Sequence, residues 1–216
     1  MRVALIADTH GVMPEIPADV DAILHAGDIG PDRPCQFFQP NGPLERWLDA
    51  HGKPMAATWG NHDKVGATLR DWRHGLSTRI IADQTVFLDT VPVWFSPWSN
   101  RYGNFEWMDD EAGLAERYAK IPVDTEVLVS HGPPYGYGDK TGPMHSSISV
   151  GSKALLARIG QLPNLRLVVT GHIHEARGEY VMANGVSVMN VASSINRGVP
   201  YPKPVVVIDW PPSRRE

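Results

Sequence analysis

The feature of this sequence that most constrains its fold is a pattern in which a short apolar run ends at a glycine beside a polar residue. Continuous apolar runs of this kind are typical of strands that are buried on both faces. The pattern occurs five times, in residues 3–7, 21–26, 54–59, 126–130 and 165–170. An aspartate, asparagine or histidine follows each run. The sequence therefore predicts five buried strands that each deliver a polar side chain to the loop behind them.

Helical patterns lie between these strands. Apolar residues spaced to bury one face of a helix are found in residues 43–51, 65–71, 109–120 and 149–161. Residues 79–94 and 178–192 break the alternation and are predicted to be strand pairs, the second turning at Asn184-Gly185. A final strand is predicted over residues 204–210. We expect an α/β fold, a four-layer sandwich of two mixed β-sheets flanked by helices, as a single domain over residues 1–216.

Two segments have no helical or strand period and are rich in proline, glycine and aromatic residues. They are residues 95–107 and 132–147. Long irregular loops inside a compact domain are usually functional. We therefore expect both segments to border the functional site.

Charge and cysteine content limit the class of protein. The chain has 20 basic and 24 acidic residues, a net charge of −4, which argues against an extended nucleic-acid surface or a polybasic membrane patch. Cys35 is the only cysteine, so an intrachain disulfide is excluded and a reducing compartment is favoured. The apolar residues at the start of the chain resemble a strand, and no apolar run is long enough to span a membrane. We expect a cytoplasmic protein that acts on a small substrate, whereas its oligomeric state stays open.

The polar residues at the strand ends form a set with metal-binding character. Asp8 and His10 are two positions apart, which places both side chains on one side of an extended strand end, and His172 and His174 repeat this spacing. Asp28, Asn61 and His131 each follow a strand of their own. Carboxylate, amide and imidazole ligands together suit manganese, iron, nickel or zinc better than calcium. One such histidine alone is more often an ordinary polar residue, so the prediction depends on the whole set.

These motifs, taken in order, resemble the signature of the calcineurin-like metallophosphoesterases. The matching motifs are Asp8-Thr9-His10, Gly27-Asp28, Gly60-Asn61-His62-Asp63, His131 and Gly171-His172-Ile173-His174. The segments around His131 and His172 are similar to the metallophosphoesterase-domain-containing branch, a group of small phosphodiesterases. The resemblance implies the calcineurin-like phosphoesterase fold, with two divalent metal ions as cofactors. Manganese is favoured among these metals, while iron, nickel, zinc and cobalt remain alternatives.

The resemblance also assigns roles to individual positions. It implies that Asp8, His10 and His174 hold the first metal, that Asn61, His131 and His172 hold the second, and that Asp28 bridges both. Some relatives carry glycine at the position of His172 and bind metal more weakly, so its presence here favours an active enzyme. His62 has the role of stabilising or protonating the leaving group in the family.

The chemistry that two metals support points to phosphoester hydrolysis. Two divalent ions roughly 3.5 to 4 Å apart can share a hydroxide and direct it in line at phosphorus. We therefore expect a dinuclear phosphoesterase, with a phosphodiester preferred and with nucleotide-like or cyclic-nucleotide substrates implied by the branch. A phosphomonoesterase or phosphoprotein phosphatase using the same site is one alternative. A catalytically silent nucleotide-binding scaffold is the other.

Several residues near the motifs have two interpretations. Aromatic and amide side chains in the irregular segments could bind a nucleobase or could close a hydrophobic lid over the sheet edge, namely Trp98, Asn100, Phe105 and Tyr135. The same alternatives are open for other residues of these segments, namely Tyr102, Trp107, Tyr137 and His145. Asn190 could support the loop that carries His172 and His174, or could be an ordinary amide at a sheet end.

Four acidic or basic residues in or beside the motifs also have competing interpretations. Asp63 is predicted to cap the helix near Val65, a role common for aspartate, in preference to orienting His62. Asp32 and Arg33 are predicted to lie in a solvated turn, in preference to contacting the phosphate. His25, inside an apolar run, is predicted to be buried and hydrogen-bonded without being a ligand.

Overall fold

The computed structural model describes residues 1–32, 36–196 and 198–213, without the side chain of His145. Arg33 and Cys35, considered above, lie outside the described residues. In chain order the strands are β1 (Arg2–Ile6), β2 (Ala22–Ala26), β3 (Met55–Thr58), β4 (Trp72–His74), β5 (Thr78–Ile81), β6 (Gln84–Leu88), β7 (Val91–Ser96), β8 (Ser99–Asn100), β9 (Met108–Asp109), β10 (Val127–Ser130), β11 (Leu167–Thr170), β12 (Gly178–Val181), β13 (Ser187–Asn190), β14 (Ser194–Asn196), β15 (Val199–Pro200) and β16 (Val206–Asp209). The α-helices are α1 (Pro43–His51), α2 (Gly66–Leu69), α3 (Glu111–Tyr118) and α4 (Lys153–Ile159), and short 3₁₀ turns cover Pro143–His145 and His174–Ala176.

Two six-stranded mixed sheets have the same plan. The first has the order β16-β1-β2-β3-β5-β4, and the second has the order β12-β13-β11-β10-β7-β6. In each sheet four parallel strands form the centre, and one antiparallel strand closes each edge. The predicted pair of mixed sheets is therefore confirmed.

The sheets pack against each other because their strands are apolar on both faces. Val3 and Leu5 of β1 point into a core that they share with Val127 and Val129 of β10 in the other sheet. The alternate residue Ala4 belongs to a second core on the outer faces of the sheets. Helical side chains that cover these outer faces are Leu44 and Leu48 of α1, Leu114 of α3 and Leu155 of α4. The resulting layers are helix, sheet, sheet and helix, as the sequence predicts.

Two predicted segments differ from the structure. Residues 79–94 are not a single strand pair, because β5 joins the first sheet while β6 and β7 form a hairpin in the second. The helix predicted over residues 149–161 begins only at Lys153, since Ser149 and Ser152 make strand-like bridges to Lys140 and Pro134. The hairpin that turns at Asn184-Gly185 is confirmed as β12 and β13.

The helix predicted over residues 65–71 is a single turn, α2. Arg70 has a left-handed backbone with φ of 52°, and the chain enters β4 at Trp72. No helix in the part of the chain that the structure covers is long and apolar enough to cross a bilayer.

Parallel strands place their carboxyl ends at one edge of a sheet. The ends of β1, β2 and β3 lie at this edge of the first sheet, and those of β10 and β11 lie at the same edge of the second. Ligands and substrates of open parallel sheets bind beyond the carboxyl ends of the strands. The loops that follow these five strands therefore position the candidate site.

Candidate metal centre

All seven predicted ligands lie in loops directly after the central parallel strands. Asp8 and His10 follow β1, Asp28 follows β2, Asn61 follows β3, His131 follows β10, and His172 and His174 follow β11. Four of them have a left-handed backbone, with φ of 52° at Asp8, 46° at His10, 54° at Asp28 and 71° at His172. This conformation is uncommon for residues other than glycine and clusters at functional sites. It turns the chain sharply at each strand end.

The carboxylates and imidazoles form two adjoining clusters. Potential ligand atoms of Asp8, His10 and His174 lie within 4.8 Å of one another, and so do those of Asp8, Asp28 and His131. Asp8 belongs to both clusters, which places them side by side. The second cluster extends to Asn61, whose Oδ1 is 2.8 Å from Nε2 of His131.

The carboxylate of Asp28 lies between the two groups of histidines. Its Oδ2 atom is 3.8 Å from Nε2 of His10, and its Oδ1 atom is 3.6 Å from Nε2 of His131. Oδ1 also accepts a hydrogen bond of 2.8 Å from the backbone N–H of His62. The Asp28 carboxylate thus presents one oxygen to His10 and the other to His131.

The histidines after β11 complete the two sides. Nε2 of His174 is 3.3 Å from Nε2 of His10 and 3.6 Å from Oδ1 of Asp8. The ring of His172 lies 4.9 Å from the ring of His131, measured between centroids, and its backbone N–H donates to the carboxylate of Asp8. His174 therefore groups with His10 and Asp8, whereas His172 groups with His131.

Two glycines leave the space that the carboxylates of Asp28 and Asp8 occupy. A Cβ atom on Gly60 would lie 2.3 Å from Oδ1 of Asp28, and a Cβ atom on Gly171 would lie 2.3 Å from Oδ2 of Asp8. Real Cβ contacts are never this short, so any side chain at either position would displace a carboxylate. The space for both carboxylates thus depends on the missing side chains.

The electrostatic environment favours the deprotonated, ligand-competent state of three ligands, His131, His172 and Asp8, but not of His174. Burial lowers the pKa of His131 and, together with the charge of His131, brings that of His172 well below its ordinary value. Burial opposes ionisation of Asp8, but His174 and the other nearby histidines hold its pKa well below the ordinary value. Burial likewise lowers the pKa of His174, but Asp8 outweighs it and raises this pKa to about 9. A metal ion would replace the proton on His174, because ligands bind metals in the deprotonated form.

The residues present fit a pair of divalent transition ions. Nitrogen and oxygen donors converge from both sheets, and the ionised carboxylates lie between the imidazoles. Such a mixed donor set suits manganese, iron, nickel, cobalt or zinc, while calcium prefers oxygen ligands throughout. The arrangement is consistent with a dinuclear metal centre.

His62 lies beside the ligands and is oriented by Asp32. Its Nδ1 atom is 3.0 Å from Oδ1 of Asp32, and its ring lies 5.3 Å from that of His10 and 4.8 Å from that of Phe105. Since an ionised carboxylate only accepts hydrogen bonds, Nδ1 is the donor. The prediction that Asp32 lies in a solvated turn misses this contact, although its side chain is 48% exposed.

Asp63 joins two ligand loops and does not cap a helix. Its carboxylate accepts hydrogen bonds from the backbone N–H groups of Ile29, Gly30 and Gly60 at 2.9 to 3.1 Å. Burial, with the charge of Asp28, raises its pKa to about 7. The residue before α2 is Val65, which makes no side-chain cap, so the capping prediction is wrong.

Two other residues, Asn190 and His25, have surroundings that the sequence predicts for them. Asn190 donates through Nδ2 to the carbonyls of Gly138, Gly171 and Ile173, and so supports the loop of His172 and His174. His25 is fully buried and its ring contacts Oγ1 of Thr9 and the backbone N–H of Gly27.

The four predicted substrate-binding residues have different surroundings. Trp98 is buried, and its indole N–H donates to Asp83 while its ring packs against Trp107, so the structure places it in the core. The prediction for Trp98 depends on its place in an irregular segment rich in aromatic residues, and this pattern does not distinguish a buried aromatic residue from one that lines a site. Phe105 contacts His62, as described above.

Asn100 and Tyr135 also differ in whether they lie beside the metal centre. Asn100 lines a cavity beside the metal centre, although its amide nitrogen is occupied by Glu111 and two backbone carbonyls. Tyr135 is not among the residues that line this cavity or the cleft over the ligands, within the part of the chain described, and the ammonium of Lys153 lies 5.2 Å from its ring centroid.

The cleft over the ligands has a volume of about 180 Å³, and it is also lined by Tyr102, one of the loop aromatics with two interpretations, and by Asn196. Tyr102 lines it, accepts a hydrogen bond of 3.2 Å from Nδ2 of Asn61 at its hydroxyl, and has its ring 5.6 Å from that of His172. Asn196, at the end of β14, also lines the cleft, and no motif in the sequence signals it. Both irregular segments border the site, as predicted, through Tyr102 and Thr141.

Comparisons with known proteins identify several similar chains. The UPF0046 protein K07C11.7 of Caenorhabditis elegans is 26% identical over 213 residues, which are 92% of this chain and 71% of the nematode protein. Metallophosphoesterase domain-containing protein 1 of Homo sapiens is 30% identical over 135 residues, which are 62% of this chain and only 40% of the human protein. A dimetal phosphatase from Danio rerio, with 12% identity, superimposes with a TM-score of 0.47 over 88% of this chain and 87% of the fish protein.

The family model for calcineurin-like phosphoesterases matches residues 1–176, a range that contains every predicted ligand. Because this match covers most of the chain, the protein belongs to the calcineurin-like phosphoesterase family.

Proposed function

We propose that this protein is a metal-dependent phosphodiesterase with two divalent ions, most readily Mn²⁺. In this proposal Asp8, His10 and His174 hold the first ion. Asn61, His131 and His172 hold the second, and Asp28 bridges the pair. The family supports the hydrolysis of phosphoric esters, and the choice of a diester, a nucleotide-like substrate and manganese is ours.

The observation that carries the proposal is the position of the Asp28 carboxylate. One oxygen faces His10 and the other faces His131, at 3.8 and 3.6 Å, and these two histidines belong to different clusters. A carboxylate with this placement can share its two oxygens between neighbouring ions. A single-metal site would not need ligand groups on both sides of one carboxylate.

The chain's own residues act mainly on the leaving group. Two bound ions supply a nucleophile from water at neutral pH and neutralise charge on the phosphoryl oxygens. In the overall reaction a bond forms between phosphorus and the oxygen of water, and the bond from phosphorus to the leaving oxygen breaks. His62 donates a proton from Nε2 to that oxygen. The water gives up one proton to solvent, and His62 regains from solvent the proton that it donates. Asp32 holds the ring through Nδ1 and stabilises the protonated imidazole.

Several features support a diester as the preferred substrate. The similarity to metallophosphoesterase domain-containing protein 1 agrees with the branch that the sequence motifs resemble, and we infer the diester from that branch. Tyr102 and His172 line both the cleft and a larger adjoining cavity, which leaves room for a second substituent on the phosphorus. Nucleotide-like and cyclic-nucleotide substrates are proposed from the branch alone.

The test uses purified protein reconstituted with manganese and assayed on two aryl phosphates. We expect bis(4-nitrophenyl) phosphate to be hydrolysed faster than 4-nitrophenyl phosphate, with activity lost on chelation and restored by Mn²⁺. Much faster turnover of the monoester would contradict the diester preference. Fewer than two ions per chain without any hydrolysis would favour the silent scaffold. A screen of cyclic and linear nucleotides under the same conditions then identifies the substrate class.

A further inference from the structure

A second cavity adjoins the metal cleft. Its volume is about 570 Å³, three times that of the cleft, and Tyr102 and His172 line both. Pockets that bind small organic molecules commonly have volumes of roughly 300 to 1,000 Å³. The cavity is therefore large enough for an aromatic group or a nucleoside attached to a phosphate in the cleft.

The proton donor lines the cleft and not the cavity, among the residues that the structure describes. His62 is next to His10, with ring centroids 5.3 Å apart, whereas His172 is next to His131, with centroids 4.9 Å apart. His62 lines the cleft but is not among the residues that line the cavity, within the part of the chain that the structure describes. A leaving oxygen that receives a proton from His62 would thus lie in the cleft, beside a residue that does not line the cavity.

Apolar side chains form much of the cavity wall. Ile148 and Val150 come from the loop after β10, and Ile173 lies between the two histidines of the Gly-His-x-His motif. The loop wall is fixed by Thr141, whose backbone N–H donates to the carbonyl of Ile148 and whose hydroxyl accepts from the backbone N–H of Ile148. Such a wall favours an apolar or aromatic ligand group.

The charged residues at the cavity do not favour a second anion. The guanidinium of Arg101 is 3.5 Å from the carboxylate of Asp109 and also donates to the carbonyl of Met108. Glu175 contributes a carboxylate to the same cavity. A second phosphate would meet this carboxylate, while the one nearby guanidinium among the described lining residues already has an anionic partner.

We infer that this cavity binds a neutral organic substituent, aromatic or nucleoside in character, on the ester oxygen that stays with the phosphate after hydrolysis. The inference rests on the proposed phosphodiesterase function and adds which side of the diester determines specificity. The leaving group lies on the side of His62, and the retained group occupies the cavity beside Tyr102 and His172.

The experiment keeps the leaving group constant and varies the retained group. Manganese-loaded protein is assayed on 4-nitrophenyl phosphodiesters whose second substituent is methyl, phenyl, 4-carboxyphenyl or 5′-thymidyl. We expect kcat/KM to rise about tenfold from methyl to phenyl and to thymidyl, a factor in the range of a modest apolar contact. The anionic 4-carboxyphenyl ester should lose this gain. Calorimetric titration of the products phenyl phosphate and methyl phosphate should give the same order of affinity without turnover.

Two variants connect the preference to the cavity. Ile148→Asp places a charge in the wall at a residue whose exposure is 54%, so the fold should tolerate the change, and it should bring the phenyl-to-methyl ratio close to one. Leu76→Asp introduces the same charge at a fully exposed leucine in the turn before β5 and should leave the ratio unchanged.

The possible outcomes separate this inference from the proposed function. No hydrolysis of any of the four diesters would refute the phosphodiesterase proposal itself. Hydrolysis of all four with equal kcat/KM would refute the cavity assignment alone. A phenyl preference that survives Ile148→Asp would refute it as well.

Discussion

Acidification should destabilise the folded protein because one buried histidine cannot take up a second proton without losing a hydrogen bond. His25 is fully buried in β2, and its Nδ1 atom accepts a hydrogen bond from the backbone N–H of Gly27 at 3.2 Å. Its proton is therefore on Nε2, which donates to Oγ1 of Thr9 at 3.0 Å. Thr9 in turn donates to the carbonyl of Ile29. Protonation of Nδ1 would place its N–H group against the backbone N–H of Gly27, and two donors cannot form a hydrogen bond.

The size of the effect follows from the pKa of His25. Burial, with the charges of His131 and His10, outweighs Asp8 and lowers this pKa from 6.5 to about 3. The folded state then binds fewer protons than the unfolded state, so stability falls as the pH falls through 6.5 and levels off near 3. At about 1.4 kcal/mol per pH unit, this group contributes a loss of about 2 kcal/mol between pH 7 and pH 5.

Urea unfolding at the two pH values measures this loss. Wild type and His25→Gln are compared in the presence of a chelator, so that release of metal does not contribute. The free energy of unfolding of the wild type should fall by about 2 kcal/mol more than that of the variant between pH 7 and pH 5. Equal losses in the two proteins would refute the reasoning.

His74→Gln is the control of opposite sign. Asp49 and Glu45 raise the pKa of His74 through ion pairing, so its stabilising contribution is present below pH 6.5 and is lost as the pH rises through the raised value. Acidification should therefore favour the wild type over this variant. A shift in the same direction as for His25→Gln would show that general acid sensitivity, and not burial, explains the result.

Four further substitutions test the separate tasks of the site residues. His62→Ala should keep two ions per chain by metal analysis and lower kcat by about 10² to 10⁴, and loss of metal would contradict a role in proton transfer. Asp28→Ala should lose both ions, whereas retention of one at full affinity would exclude a bridge. His172→Gly should weaken only one of two binding steps in a manganese titration, and two unchanged steps would contradict its assignment. Asp63→Asn should lower the free energy of unfolding by about 1 to 3 kcal/mol, because an amide N–H group would face backbone donors. The exposed Asp21→Asn, at a side chain that accepts one backbone hydrogen bond, is the matched control, and equal losses would refute the special role of Asp63.

Much of the fold was predictable because the central strands have local signals. The apolar runs ending at Asp8, Asp28, Asn61 and His131 identify strands that are buried on both faces, and the order of these strands in the sheets brings their ends together. Asn184-Gly185 likewise specifies a hairpin through its backbone conformation alone. These features depend on residues that are neighbours in the chain, so they can be predicted from the sequence.

Other features depend on contacts between distant residues. Nothing local distinguishes β5, which joins the first sheet, from β6, which joins the second. Asp63 has the sequence pattern of a helix cap, but burial places its carboxylate against the loops of Asp28 and Asn61. Asp32 contacts His62 across 30 positions of sequence, so its neighbours in the chain do not reveal it. Trp98 and Tyr102 have similar sequence surroundings, yet one is in the core and the other lines the cleft.

The most direct test of the central claim is a crystal structure of the manganese-soaked protein with anomalous diffraction recorded at the manganese edge. The account predicts two anomalous peaks per chain, one against Asp8, His10 and His174 and the other against Asn61, His131 and His172, with Asp28 between them. A single peak, or two peaks that do not share Asp28, would contradict it.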